Sequence, residues 1–189
     1  KQTDDVIVAR VSVLYDVLNE LVLDGKLVPF SQGEVPLAYS HLKYTGKGDL
    51  IIMDRAYTSF DLAYKMQQRG VNFLCRCKHT FSKQVKIFYE SGKLQEIIEI
   101  KSKQHKSFKG LPYKPESTIQ VRMLRIELSS GETEILMTSL TDTQKYLYEE
   151  FEQLYFKRWK IETYYDELKN KLKIEEFSGY SNQSILQDF

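Results

Sequence analysis

Cysteine, histidine and proline are scarce in this chain, and no apolar run is long. The 189 residues include two cysteines, three histidines and four prolines. Two cysteines, spaced Cys75-x-Cys77, cannot build a disulfide framework, so a reducing cytoplasm is the expected compartment. No stretch approaches the ~20 apolar residues that span a bilayer. No signal peptide opens the chain, which starts Lys1-Gln2-Thr3. That start without Met, and the end at Gln187-Asp188-Phe189, read as a piece cut from something longer. An excess of one charge sign is missing too: 27 Lys and Arg stand against 26 Asp and Glu, so global charge names no partner. What is present is globular. With 42% hydrophobic and 28% charged residues, the chain can bury a full core as one domain, or one domain with a sizeable insertion.

Charge is unevenly placed. From Arg76 to Lys114 ten Lys or Arg face three Glu (Glu90, Glu96 and Glu99), a local +7, so the remainder of the +1 chain sums to −6. A basic segment on an acidic body suits a polyanion. It suits equally a solvated, lysine-rich face of a β insertion.

Val6 to Phe30 is rich in Val, Leu and Tyr with β-type alternation, which predicts strands near 6–18 and 21–30 turning at Asn19-Glu20. A short helix is expected within 34–44 and a loop at Gly46-Lys47-Gly48. Leu50-Ile51-Ile52-Met53 ends in Asp54 and reads as a strand buried on both faces. Thr58 and Asp61 suggest a capping box, and Gly70 a helix C′ position, for a helix near 59–69. Val71 to Cys75 is the next strand, completing a compact βαβ unit. Alternation at 85–89, 94–100, 119–128 and 134–140, with turn signals at Ser91-Gly92 and Ser129-Ser130-Gly131, predicts a mostly antiparallel β insertion. A loop at about 101–117 interrupts it. From Thr143 to Lys173 neither Gly nor Pro occurs. Leu147, Leu154, Ile161 and Leu168 recur every seven residues, which predicts one amphipathic helix of about 30 residues, roughly 45 Å long.

On that helix Tyr155, Arg158, Glu162 and Lys169 fall within a sector of about 60° at about 100° per residue. A carboxylate flanked by two cations and a phenol suits a metal and phosphate site. It also suits a surface ion-pair ladder. Two facts shift that balance: Asp54 stands at the expected carboxyl end of a strand, where open α/β sheets place their sites, and the spacing of the four residues carries a resemblance.

The spacing Tyr155-x2-Arg158-x3-Glu162-x6-Lys169 resembles the Y-R-E-K signature of DDE transposases encoded by bacterial insertion sequences. The surrounding text agrees: Leu14-Tyr15-Asp16-Val17-Leu18-Asn19, Asp54-Arg55-Ala56-Tyr57, Phe73-Leu74-Cys75-Arg76, Met137-Thr138-Ser139-Leu140 and Arg158-Trp159-Lys160-Ile161-Glu162-Thr163. The resemblance covers essentially the whole chain. It implies an α/β fold of the ribonuclease H-like kind, a mixed sheet with helices and a β-rich insertion at about 78–133 between the second Asp and the Glu. It implies a triad of two Asp and one Glu holding two Mg²⁺ or Mn²⁺ ions, with Asp54 matching the second Asp and Glu162 the Glu. The first Asp, carried by an Asp-Gly-Ser-like motif in such proteins, has no match here and is expected upstream of Lys1. Asp16 is the one tempting substitute. The chain alone is therefore expected to be inactive. Ala56 stands where the family usually has Gly.

The same resemblance implies DNA cleavage and strand transfer at insertion-sequence ends, in bacterial cytoplasm, by a protein that works as a dimer. Two divalent ions suit such phosphoryl transfer because they stabilise both the attacking and the leaving oxygen, and Mg²⁺ favours carboxylate oxygens. Tyr155, Arg158 and Lys169 are implied to hold the DNA end, Arg forking onto phosphate and Lys acting as a point charge. Trp159, the single Trp, is a base-stacking candidate, although a helix-borne Trp more often belongs to a core. Arg55 suits a local pair or a phosphate, and Arg76 a structural ion pair. Cys75, Cys77 and His79 alternate as a weak zinc candidate that needs a fourth group. His41 and His105 show no partner in the sequence. The alternative function is a non-catalytic nucleic-acid-binding domain on a ribonuclease H-like core, and a third is an unrelated metal nuclease.

Overall fold

A computed structural model describes residues 9–102, 113–128 and 131–172, the last five of these as backbone only. In chain order the elements are β1 (Ala9–Asp16), β2 (Leu21–Pro29), α1 (Glu34–His41), β3 (Leu50–Met53), α2 (Phe60–Gln68), β4 (Asn72–Arg76), α3 (Lys83–Glu90), β5 (Gln95–Lys101), β6 (Thr118–Glu127), β7 (Thr133–Thr138), α4 (Glu150–Phe156) and α5 (Trp159–Leu172). The fold is mixed α/β. The chain divides into two compact units, Lys1–His41 with Arg158–Phe189, and Leu42–Lys157.

In the first unit β1 and β2 form an antiparallel hairpin, with a register irregularity at Leu14/Tyr15. Its turn is shaped locally. The Asp16 carboxylate accepts hydrogen bonds from the backbone N–H of Leu18 (2.9 Å) and Asn19 (3.1 Å) and from the Asn19 side chain (2.7 Å). Asx turns of this kind direct a chain reversal without help from a distant element. Helix α1 packs on β1. Helix α5 joins the same unit: the Tyr164 ring stacks on Tyr15 at 5.0 Å, and Lys160 reaches Glu20 (2.9 Å) and the Val17 carbonyl (3.2 Å).

The second unit is built on a five-stranded sheet of order β3-β4-β7-β6-β5. Strands β3 and β4 are parallel, joined through α2, and the other pairings are antiparallel. Pleating sorts the side chains to two faces. Leu74, Leu124, Ile126 and Leu136 form one core with Leu140, Phe151 and Tyr155. Phe73, Cys75, Val121, Met123 and Met137 are buried on the alternate positions, and α2 packs against β4 and β6. Thus β4, β6 and β7 are apolar in near-continuous runs, because both faces are covered.

Several boundaries differ from the sequence-based expectation. Strand β3 is parallel as expected, but it lies at the edge of the described sheet and only Met53 is fully buried. The N-cap of α2 is Ser59, whose hydroxyl accepts from the Leu62 N–H, while Thr58 donates to the Arg76 carbonyl instead. Gly70, at φ +68°, closes α2: its N–H donates to Gln67 and that of Val71 to Met66. The expected strand at 85–89 is helix α3. Ser82 caps it, and Val85 and Phe88 are buried three apart, a helical spacing that five residues of alternation could not separate from β. The predicted 30-residue helix is two helices preceded by turns. Asp142 accepts from the N–H groups of Gln144 and Lys145, which holds that segment in a turn, and the chain breaks again at Lys157-Arg158. Phe151 and Tyr155 belong to the core of the second unit, and Lys160 and Tyr164 contact the hairpin of the first. The expected loop at about 101–117 and His105 lie largely or wholly outside the described residues.

Candidate functional site

Asp54 follows β3 and precedes a single 3₁₀ turn, Arg55–Tyr57, whose Tyr57 N–H donates to the Asp54 carbonyl at 3.1 Å. The Asp54 Oδ1 is buried and has no hydrogen-bond partner among the described residues. Burying a carboxylate oxygen without a partner is costly, so the position is held against its own local energetics. Ala56 lies within the turn and has no positive φ, so glycine is not required there.

Glu162, Arg158 and Trp159 meet at the start of α5. The Arg158 guanidinium bonds the Glu162 carboxylate at 2.5 Å, one helical turn on, and lies 5.1 Å from the Trp159 ring centroid. Arg158 is largely buried, and Trp159 is 51% exposed rather than a core residue. Glu162 is thus a half-exposed carboxylate oriented by Arg158, beside a half-exposed indole.

Tyr155 belongs to α4 in the second unit and is 7% exposed, packed in the core with Leu74, Leu124 and Phe151. The α-helix is interrupted at Lys157-Arg158, between Tyr155 and Glu162. Lys169 lies on α5 seven residues after Glu162, and its side chain is outside what is described. No group of three or more His, Cys, Asp or Glu able to hold a metal occurs among the described residues.

The lesser candidates sort themselves by contact. Asp16 spends its carboxylate on the hairpin turn, where bonds from Asn19 and Leu18 hold it below its usual pKa. Arg76 pairs with Glu134 at 2.9 Å, as a structural ion pair. In the basic segment Lys86, Lys93 and Lys101 also have carboxylate partners, at Glu90, Glu96 and Glu116, which fits a solvated face for that part of it. Burial pushes the Cys75 thiol up to about 12 and raises Cys77 as well, so neither is a ready thiolate for zinc. His79 stacks on Tyr89 instead.

One constellation escaped the sequence reading. His41 is not without partners: its Nδ1–H donates to Asp24 at 2.9 Å, and its Nε2 accepts from the Ser12 hydroxyl at 3.0 Å. The order Ser–His–Asp is that of a nucleophilic triad. Ser12 is only 2% exposed, however, so no substrate reaches it and the network ties β1, β2 and α1 together. Three positions spread over 29 residues carry no local motif, so only tertiary contact reveals them.

The sequence family described as Transposase DDE domain matches residues 8–188. No curated protein matches the chain. The chain belongs to the DDE transposase family, whose members act on DNA as nuclease and strand-transfer enzymes and generally use divalent metal ions. No helix among the described residues is long and apolar enough to cross a membrane.

Proposed function

We propose that the chain is the catalytic core of a bacterial insertion-sequence transposase of the Y-R-E-K group, with a ribonuclease H-like sheet. It cleaves phosphodiester bonds at the element's ends and joins them to target DNA. The observation that carries this reading is the buried, unpartnered Oδ1 of Asp54 at the end of β3, in a chain of this family.

Carboxylate oxygens are the donor set Mg²⁺ prefers, and Asp54 and Glu162 are the residues that would hold it. An orphaned buried carboxylate oxygen fits a cation ligand better than any structural role available to it. Bound Mg²⁺ or Mn²⁺ supplies charge stabilisation at the attacking and leaving oxygens. Arg158 orients Glu162 and presents positive charge toward a phosphate, while Trp159 offers a flat face to a base near the element's end. Lys169 adds a point charge on the same helix, and Tyr155 enters the set through the motif, its ring serving the core. Two carboxylates alone do not complete the cage, so the chain without a third is proposed to be inactive. A dimer at work follows from the need to join two ends.

The test is metal-dependent cleavage of a duplex carrying the element's end, in a protein with all three carboxylates. Asp54→Asn and Glu162→Gln should each abolish cleavage and leave duplex binding intact. Cleavage that survives either change overturns the assignment.

A further inference from the structure

A cleft of about 240 Å³ opens in the second unit where β3 and β4 end. Arg55, the residue after Asp54, lines one part of it, and Arg76, Lys78 and His79 line another where the chain leaves β4. Tyr89 comes from α3, and Glu134 from β7. Three cations therefore face one carboxylate. Arg76 is already matched by Glu134 at 2.9 Å. Arg55 and Lys78 are exposed, and neither has an ion-pair partner among the described residues.

The cleft also has a flat wall. The His79 and Tyr89 rings stack, with centroids 4.9 Å apart and planes 26° from parallel. Arg125 holds Tyr89 in place: its guanidinium lies 5.1 Å from the ring centroid and bonds the Tyr89 carbonyl. Unmatched cations beside a braced aromatic stack are the two parts of a single-strand platform, where cations follow phosphates and rings take bases. The volume suits one nucleotide and is far too small for a duplex, whose major groove alone is about 12 Å wide.

We propose that this cleft takes one unpaired nucleotide of a DNA strand, its phosphate between Arg55 and Lys78 and its base on the His79–Tyr89 stack. The inference rests on the reading that the chain acts on DNA. It adds a subsite on residues outside the Tyr155–Arg158–Glu162–Lys169 set.

The test needs neither metal nor cleavage. A 5′-phosphorylated pentathymidylate is titrated into the whole chain while histidine ring protons are followed by NMR. Only three histidines are present, and His79→Gln assigns the relevant signal. The His79 ring protons should move upfield under a stacked base, with those of His41 unmoved as a check on the fold. Tyr89→Leu should weaken binding about tenfold or more. Arg55→Gln with Lys78→Gln should lower the slope of log K against log salt by about 0.7, one neutralised phosphate on a single strand. Binding with His79 unmoved, or with slope and affinity unchanged in these variants, overturns the subsite and leaves the transposase reading standing. Inorganic phosphate producing the same shift as the oligonucleotide would reduce the cleft to an anion site and overturn it too. Failure to bind the oligonucleotide at all does the same, and the Asp54 and Glu162 variants then judge the transposase reading separately.

Discussion

Replacing His41 by Ala should destabilise the first unit by about 2–4 kcal/mol. The imidazole sits between Ser12 (3.0 Å) and Asp24 (2.9 Å), and all three side chains are buried. Its loss leaves a buried hydroxyl and a buried carboxylate each short of one bond, at about 1–3 kcal/mol per unmade bond. Lys26, 3.3 Å from Asp24, retains part of the carboxylate's compensation, which keeps the total below the upper sum. Ser12→Ala removes only the neutral bond and should cost about 1 kcal/mol. The pH dependence is a second signature. Burial pushes the Asp24 carboxyl up, but bonds from His41 and Lys26 outweigh burial and hold it below its ordinary value. Folding then favours the ionised form, so this contribution is present above the ordinary carboxylate range and lost as pH falls through the lowered folded value. Without His41 that loss should begin at a higher pH. Urea unfolding followed by Trp159 fluorescence reads this unit, since the single Trp lies on α5. The midpoint should fall at constant m. A loss below about 0.5 kcal/mol, within the range of ordinary surface changes, or an acid limb identical to that of the parent, would refute the reasoning.

Three other outcomes follow from the structure. Ser82→Ala should cost about 1 kcal/mol, as for loss of an N-cap, because residues 83–90 are a helix; a strand there would be indifferent. Cys75 and Cys77 should resist a thiol reagent at pH 8 in the folded chain and react fully in denaturant, because burial raises both thiols and hides them. Leu124→Ala should cost about 2–5 kcal/mol by calorimetry, since Leu124 is fully buried against Leu136 and Phe151, and a loss under about 1 kcal/mol would mean that this core is not tightly packed.

Much of the order of elements was legible because its signals are local. The hairpin reads from alternation and from Asp16 and Asn19, whose bonds span two or three residues. The βαβ unit reads from a four-residue apolar run, a cap and Gly70. The misread elements were those whose local pattern is ambiguous. Residues 85–89 satisfy a strand template and a helix template alike, and Ser82 breaks the tie only once its hydroxyl is seen to meet the Val85 N–H. The seven-residue repeat from Leu147 to Leu168 promised one helix, since neither Gly nor Pro interrupts it.

Sequence by itself determined the family text, the carboxylate at the end of β3 and the Arg158–Glu162 pair, because each depends on neighbours within about one turn of the chain. Tertiary structure alone decided that Tyr155 is a core ring, that His41 joins Ser12 to Asp24, and that Arg55, Lys78 and the His79–Tyr89 stack line one cleft. The physical reason is separation along the chain. Burial and side-chain networks are set by which distant surfaces come together when a core closes, and periodicity along one segment carries no record of the partner it will meet.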